Sequence, residues 1–566
     1  MDETNKSQSP RALALLNMDS KEGLRQLDAL PQAKQLALLL ELPAGRRRQD
    51  LVLLSSKPEA LTRVISPEDL MLTIKEIGDV DALPLIELSS NSQLTHLLDL
   101  EIWLQNGLDL DRWGYWLNLL FECGPARVRR WVRNVDFEML VLWFERVLIK
   151  VERDSLDDLP EVLQDRVLSP DHVHYLAVKV GADLGLIKKL LDLAFAEERD
   201  LFFALMGNLG TTPLAELEEL AMRWRQGRLA DRGWPELNEA LAFYAPLEQE
   251  KLATPLPLPR GLPDAPSYPL VQRSAGGLFA QAMSDPRLGE AEHAQSLASQ
   301  LANLINRVLV ADGLPAGEIE SMQTAGERVR GRIEIGLAQA GVLDLDSATK
   351  ALIQIPLLQL VQVAQNAIAK RVRRAHELLE SPWLSMLPAP LPDRLAYVGR
   401  RRPLYLAADK DLPRDFVGPE DLACLDRDLD RVEASLLLTD ALGLKRDDLP
   451  QPFPLGSQPE SEEALDLDAI LMTCFLQAQS NGQAELLPIP ADLLIEAMRK
   501  LPSEITKLAD QISSWATAQD EALAQAAGLS KLSSGMAGRL LEQFVGHSPE
   551  RMDYRFVEGV WVSVKE

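Results

Sequence analysis

Proline residues interrupt leucine-rich stretches at short intervals near the start of the chain, and this feature constrains the fold most. The breaks lie 12 to 24 residues apart, at Leu30-Pro31, Leu42-Pro43, Ser66-Pro67 and Leu83-Pro84. Leucine favours helices, whereas proline lacks a backbone N–H and is tolerated only in their first turn. One pair of short helices cannot cover its own apolar face, so neighbouring pairs must stack. We therefore predict a superhelical stack of short helices over residues 20–150.

Helix start signals accompany these breaks. Ser66 is suited to capping a helix N-terminus, Pro67 to its first turn, and Glu68 and Asp69 to the positive end of the helix dipole. A helix is predicted to begin at Pro67.

Leucine-rich helical patterns continue through the rest of the chain, so the predicted fold class is all-α. Helical bundle blocks follow the superhelical stack, and a short strand or hairpin is predicted over Tyr554–Val557 and Val560–Val564. Two proline-rich stretches read as connectors. The predicted segments are a disordered tail (1–19), the superhelical domain (20–150), a helical domain (151–250), a linker (251–273), a helical bundle (274–380), a proline-rich crossing (381–419) and a C-terminal helical domain with a terminal strand (420–566).

The net charge of the chain limits which classes of binding partner are expected. The 566 residues include 59 Lys and Arg against 85 Asp and Glu, which gives a net charge of −26 and a pI near 4.8. Because an acidic surface repels phosphate, nucleic acid is not expected as a partner. A protein partner is expected, and weak Mg²⁺ binding to the acidic surface stays open.

Three observations predict a cytoplasmic protein without a membrane span. The first ten residues are polar and lack the apolar core of a signal peptide. The uncharged stretch Ala351–Ala369 contains four glutamines, an asparagine and a proline, so we interpret it as a buried amphipathic helix. Cys123, Cys424 and Cys474 are far apart and form no paired motif, which suits a reducing compartment.

Tryptophan is concentrated between residues 103 and 143, where five of the ten tryptophans lie. Trp113 and Trp116 are three residues apart and share a helix face. Large aromatic side chains fill gaps between short helices, and they also anchor protein partners. Core packing and partner recognition both remain open for these two residues.

The segment Arg223–Pro235 contains a stripe of cations. Arg225, Arg228 and Arg232 recur at spacings of three and four, and Trp234 follows them. Guanidinium groups bind phosphate or carboxylate bidentately, so these residues are candidates for anion or partner binding. Cations also suit a helix C-terminus, and internal pairing with the carboxylates of this acidic block is the alternative.

Signals for catalysis are absent. The sequence contains no phosphate-binding loop, nucleophile elbow or dinucleotide fingerprint, and no catalytic residue, metal ligand or cofactor is predicted. The repeated Asp426, Asp428 and Asp430 lack the glycine and the glutamate of a calcium loop.

Two resemblances add to these predictions. The stretch Leu27–Leu100, with LDALPQAKQLALLLELP and SPEDLMLTIKEIG, resembles the superhelical domains of the bacterial magnesium transporter N-terminus and of the flagellar motor switch protein. Those families use such helices for cation sensing and subunit contacts. The segment RWRQGRLADRGWPELNEAL, Arg223–Leu241, resembles part of an uncharacterised bacterial family of similar length, a domain of unknown function.

The hypothesis that these observations favour is a non-catalytic cytoplasmic scaffold or adaptor that binds a protein through a concave helical surface. The resemblance to the transporter implies one alternative, a regulatory module that responds to divalent cations. The other alternative is an enzyme with an unfamiliar anion-binding site around Arg223–Pro235.

Overall fold

The computed structural model describes residues 10–104, 107–252, 276–289, 291–408, 410–449, 465–544, 557 and 559–563. Helices take up 69% of these residues, and the strands are few and short. The predicted all-α class is therefore confirmed.

Twenty-seven α-helices lie within the described ranges. The first fifteen are α1 (Pro10–Asn17), α2 (Ser20–Asp28), α3 (Gln32–Glu41), α4 (Arg46–Leu54), α5 (Pro58–Arg63), α6 (Pro67–Ile77), α7 (Leu83–Leu88), α8 (Asn91–Glu101), α9 (Leu110–Glu122), α10 (Pro125–Val132), α11 (Phe137–Val147), α12 (Glu161–Gln164), α13 (Leu184–Glu197), α14 (Arg199–Asn208) and α15 (Leu214–Ala230). The others are α16 (Leu237–Ala240), α17 (Leu278–Ala282), α18 (Ala291–Asp312), α19 (Ile319–Gln339), α20 (Leu345–Gln354), α21 (Leu357–Leu379), α22 (Leu391–Val398), α23 (Pro419–Ala441), α24 (Leu467–Asn481), α25 (Ala491–Lys500), α26 (Ile505–Gln519) and α27 (Leu529–Gln543).

Three small sheets are built from β1 (Trp103–Leu104), β2 (Gly107–Leu108), β3 (Leu148–Val151), β4 (Val167–Leu168), β5 (Tyr175–Val178), β6 (Ile489–Pro490) and β7 (Val562–Ser563). Strand β5 lies between β3 and β4 and is antiparallel to both. The sequence predicts only helices over 151–250, and the sheet corrects that prediction. Strands of two to four residues are too short to produce a readable alternation of apolar and polar residues.

Local signals place the N-terminal helices where the sequence predicts them. Helix α6 begins at Pro67, and the Ser66 hydroxyl accepts a hydrogen bond of 3.0 Å from the backbone N–H of Asp69. In contrast, helix α1 already runs over Pro10–Asn17, within the stretch predicted as a disordered tail. Ala12 and Leu15 of this helix are buried, and α1 contacts α2 and α4, so apolar packing orders it.

The N-terminal helices contact neighbours two positions along the chain. Helix α4 contacts α6, α5 contacts α7, α6 contacts α8, and α7 contacts α9. This pattern of contacts is the one that stacked helical pairs produce.

The uncharged stretch Ala351–Ala369 forms parts of two helices, which corrects the prediction of one amphipathic helix. Helix α20 ends at Gln354 and α21 begins at Leu357, because Pro356 cannot donate the backbone hydrogen bond that would continue α20. The two helices meet at 113°. Within the described ranges, no individual helix has the length and hydropathy to cross a bilayer. The two helices of this bent pair reach that length and hydropathy only when they are taken together.

The predicted terminal strand is present within the described residues. Strand β7 pairs in parallel with β6, and the Ile489 N–H donates to the Trp561 carbonyl over 2.8 Å. The Trp561 N–H in turn donates to the buried Thr473 hydroxyl over 2.8 Å. The predicted first half, Tyr554–Val557, lies outside the described residues except for Val557.

The chain divides into two compact units. The first comprises Met1–Ala245, Leu252–Arg330 and Val342–Gln362, and the second comprises Pro246–Lys251, Gly331–Gly341 and Val363–Glu566. The first unit includes part of the predicted middle bundle because α18 packs against α16. Most of the predicted linker 251–273 lies outside the described residues.

Candidate functional site

Helix α15 carries the predicted cationic stripe and packs against α8 and α11 in the first unit. The spacing of three and four residues places Arg225 and Arg228 on the packed side of the helix, and Arg232 follows its C-terminal end. The structure therefore brings the three guanidinium groups to polar and aromatic groups of other elements in the first unit.

Arg228 occupies the centre of this arrangement. Its Nε and Nη2 donate to the two oxygens of Asp99 over 2.8 Å each, and its Nη1 donates to Asp136 over 2.6 Å. The Asp99 side chain is only 2% exposed. Burial disfavours charge on Arg228, but the hydrogen bonds and charges of both carboxylates raise its pKa overall. The bidentate pair thus holds α15 against α8 and the start of α11.

The other two arginines of the stripe are also partnered. Arg225 Nε donates to the Asp99 backbone carbonyl over 2.7 Å, and the guanidinium lies 5.7 Å from the centroid of the Trp103 ring. Arg232 Nη1 lies 3.3 Å from Glu68 Oε1. All three cations therefore bind groups of their own chain, which is the alternative that the sequence left open.

A buried histidine adjoins this network. His96 Nε2 lies 3.6 Å from Glu68 Oε1, beyond hydrogen-bond distance, and has no hydrogen-bond partner among the described residues. Burial, followed by the charge on Arg232, lowers the pKa of His96 to about 3. Burial raises the pKa of Glu68. His96 is therefore neutral at physiological pH, and the sequence analysis did not identify it.

The predicted tryptophans lie in the core. Trp113 and Trp116 are 2% and 1% exposed, and Trp234 is 5% exposed. The Trp113 ring lies 5.6 Å from that of Trp131 and 5.9 Å from that of Trp143. The structure thus gives these indoles the packing role that the sequence left open beside recognition.

One tryptophan differs from the others. Trp224, on α15, is 57% exposed, whereas the other nine tryptophans of the chain are buried or half-buried. The sequence analysis did not single it out, because charged neighbours on both sides of Trp224 give no periodic signal of burial or exposure.

Exposed apolar side chains are grouped around strand β5. Val173 and Val180 flank the strand at its two ends and are 71% and 69% exposed. Three further exposed side chains adjoin the strand through direct neighbours: Ile149 pairs with Ala177 of β5, Val162 lies on α12, which contacts β5, and the Phe203 ring lies 6.5 Å from that of His174. We refer to Ile149, Val162, Val173, Val180 and Phe203 as the β5 surface.

A carboxylate-rich stretch adjoins the β5 surface. The acidic segment, residues 152–165, connects β3 to β4 and carries six carboxylates and one arginine. All seven charged side chains are exposed, and none of the six carboxylates forms an ion pair with a described residue. The exposed carboxylates are Glu152, Asp154, Asp157, Asp158, Glu161 and Asp165.

Groups with metal-binding or nucleophilic chemistry are few. In the ranges given above, no three or more His, Cys, Asp or Glu side chains are grouped so that they could hold a metal ion. Asp426, Asp428 and Asp430 lie within helix α23 and bind arginines. The three cysteines are free, and burial raises the pKa of Cys123 to about 11 and of Cys474 to about 12, so both thiols are protonated and unreactive.

Comparison with known proteins identifies a family. Residues 24–563 match the family described as a family of unknown function, DUF6178. No curated protein and no solved structure matches the chain. The match confirms the predicted resemblance to an uncharacterised family, whereas the resemblance of Leu27–Leu100 to the transporter and motor switch domains stays a prediction. Because the match spans nearly the whole chain, this protein belongs to DUF6178, a family of unknown function.

Proposed function

We propose that this protein is a non-catalytic scaffold that binds a protein partner through the β5 surface. The observation that carries the proposal is the grouping of five exposed apolar side chains around one short strand. Apolar side chains scattered singly over a surface need no explanation, but a grouped set is typical of interaction sites.

The β5 surface replaces the contact surface predicted from the sequence. The guanidinium groups of Arg225, Arg228 and Arg232 already bind carboxylates, a carbonyl and a ring of the same unit. An external anion would have to displace Asp99, whose buried charge would then lack a partner. Binding at the exposed valines carries no such cost, because their burial removes apolar surface from water and is favourable.

The proposal includes two properties that the sequence analysis predicted. The contacts between α4 and α6, α5 and α7, and α6 and α8 support a superhelical arrangement of the N-terminal helices. The free cysteines support a cytoplasmic location. A scaffold role agrees with both, because stacked helices present elements such as the β5 surface on a rigid support.

The experiment is affinity capture from a native lysate after cross-linking, with wild type and a triple variant of the β5 surface. In the variant, Val162→Ser, Val173→Ser and Val180→Ser remove apolar groups that are at least 66% exposed, so the fold is preserved. We expect wild type to retain a specific protein and the variant to lose at least about 90% of it, since interface anchors each contribute more than 1 kcal/mol.

A matched control carries the same kind of change elsewhere in the chain. Val80→Ser, Leu343→Ser and Leu412→Ser also remove exposed apolar side chains, which are 57%, 87% and 78% exposed. This control should retain the partner as wild type does. Equal loss from both triple variants, or no specific protein with wild type, would contradict the proposed function.

A further inference from the structure

The connection between β3 and β4 determines where the acidic segment lies. Both strands are antiparallel to β5, so they run parallel to each other with β5 between them. A connection between parallel strands of one sheet has to cross a face of that sheet. Helix α12, inside the acidic segment, does contact β5. The exposed carboxylates are therefore held close to the sheet.

Strand register shows which face of the sheet is open. Directly opposite residues of antiparallel strands place their side chains on the same face. One face carries the buried residues Leu148, Leu176 and Val178, with exposed Lys150 and half-buried Leu168 on the outer strands β3 and β4. The other carries the exposed or half-buried residues Ile149, Val151, Val167 and Tyr175. Ala177 of the central strand, which pairs with Ile149 and Val167 on this face, is fully buried.

This face is therefore apolar, and the acidic segment, whose carboxylates pair with no described residue, lies close to the sheet. Val173 and Val180, beyond the two ends of β5, and Val162 on α12 are among the most exposed apolar side chains of the described residues. The segment that connects β3 to β4 has one arginine, Arg153, and six carboxylates that form no ion pair with a described residue. An occupant that complements both properties must supply cations together with apolar side chains.

We propose that the β5 surface binds a segment of another protein that is rich in Lys and Arg and carries apolar side chains between them. This inference rests on the proposed function and names the chemistry of the partner. A second copy of this chain is a poorer occupant, because each copy carries a net charge of −26 and the two would repel. The cations of the partner bind the acidic segment, and its apolar side chains cover the valines.

Fluorescence anisotropy with the full chain tests this inference with three labelled peptides. In the first, Lys alternates with Val; in the second, Glu replaces Lys; and in the third, Ser replaces Val. We expect the Lys–Val peptide to bind, the Glu–Val peptide not to bind, and the Lys–Ser peptide to bind about tenfold more weakly, since apolar anchors dominate such interfaces. Binding of the Lys–Val peptide should weaken as salt is raised. Equal binding of the Lys–Val and Glu–Val peptides would overturn the inference.

Two matched variants distinguish the contribution of the acidic segment to peptide binding from that of the protein's overall negative charge. Neutralising Asp157→Asn, Asp158→Asn and Glu161→Gln should weaken binding of the Lys–Val peptide about tenfold, because three exposed charge pairs are lost. The control neutralises three other exposed carboxylates, with Glu41→Gln, Asp50→Asn and Glu377→Gln, and should weaken binding less than about twofold. Equal weakening by both variants would overturn the inference.

The same variant distinguishes failure of the inference from failure of the proposed function. The Asp157→Asn, Asp158→Asn and Glu161→Gln variant is added to the lysate capture. If it retains the partner in full while the valine variant loses it, the scaffold function stands and the basic partner is wrong. If wild type captures no specific protein, the scaffold function is wrong.

Discussion

The cationic stripe of α15 and the acidic segment before β4 are both dense in charge, yet the chain uses them differently. The stripe binds Asp99, Asp136 and Glu68 across helix contacts, whereas the six carboxylates of the acidic segment have no ion pairs with described residues. A buried carboxylate must be paired, while an exposed one is stabilised by water. The comparison teaches that charge density alone does not mark a binding site, because the charges of the stripe are bound by other groups of the same unit.

Removing the central arginine of the stripe, Arg228, should cause the largest loss of stability. We expect Arg228→Met to destabilise the first unit by about 3–5 kcal/mol, because Asp99 keeps a buried charge without its bidentate partner. The urea unfolding transition measures this effect. Arg223→Met is the control on the same helix: its side chain is 71% exposed and pairs with the exposed Glu219, so its effect should stay below about 0.5 kcal/mol. Similar midpoints for the two variants would show that the stripe does not hold the helices together.

Tryptophan substitutions extend the contrast between core and surface. Trp113→Ala should cost about 3–5 kcal/mol, because it leaves a cavity beside Trp131 and Trp143. Trp224→Ala, at a 57% exposed position, should change the free energy of unfolding by less than about 0.5 kcal/mol. Thermal melting of both variants gives the comparison, and a large loss with Trp224→Ala would contradict the placement of this side chain.

Lowering the pH should reduce the free energy of unfolding. We expect this loss to arise beside the stripe, at His96, rather than in the acidic segment. Because the pKa of His96 falls from 6.5 to about 3 on folding, the unfolded chain binds this proton first, and stability is lost as pH falls below 6.5. The expected loss between pH 7 and pH 5 is about 2 kcal/mol. The raised pKa of Glu68 acts in the opposite direction, since the folded chain takes up that proton first.

Unfolding midpoints in urea at pH 7 and pH 5 measure this dependence. The His96→Gln variant, which has no titrating ring, should lose most of the difference between the two midpoints even if its stability at pH 7 is lower. An unchanged difference in this variant would assign the acid sensitivity to other groups.

The smallest change in the free energy of unfolding is expected from substitutions in the acidic segment. Neutralising Asp157, Asp158 and Glu161 should change the free energy of unfolding by less than about 0.5 kcal/mol, because these exposed carboxylates form no ion pairs within the described chain. Urea unfolding of the triple variant tests this expectation. A loss above about 1 kcal/mol would mean that the segment stabilises the fold.

The sequence predicts what depends on neighbouring residues and misses what depends on distant ones. The start of α6 follows from Ser66 and Pro67, which lie beside the helix that they begin. The partners of the stripe could not be predicted, because Arg228 and Asp99 are 129 residues apart and Arg232 and Glu68 are 164 apart.

The β5 surface was missed for a different reason. Strands β3, β4 and β5 contain four, two and four residues, so their apolar alternation is too brief to distinguish from a helical pattern. The exposure of Val173 and Val180 depends on that sheet and could not be predicted without it.

Site-specific photo-cross-linking in a native lysate tests the central claim most directly. A photoreactive amino acid is placed at Val173, on the β5 surface, or at Arg223, on the stripe helix; both side chains are about 70% exposed. We predict a discrete cross-linked species from Val173 and none from Arg223. A discrete species from Arg223 with none from Val173 would contradict the assignment of partner binding to the β5 surface.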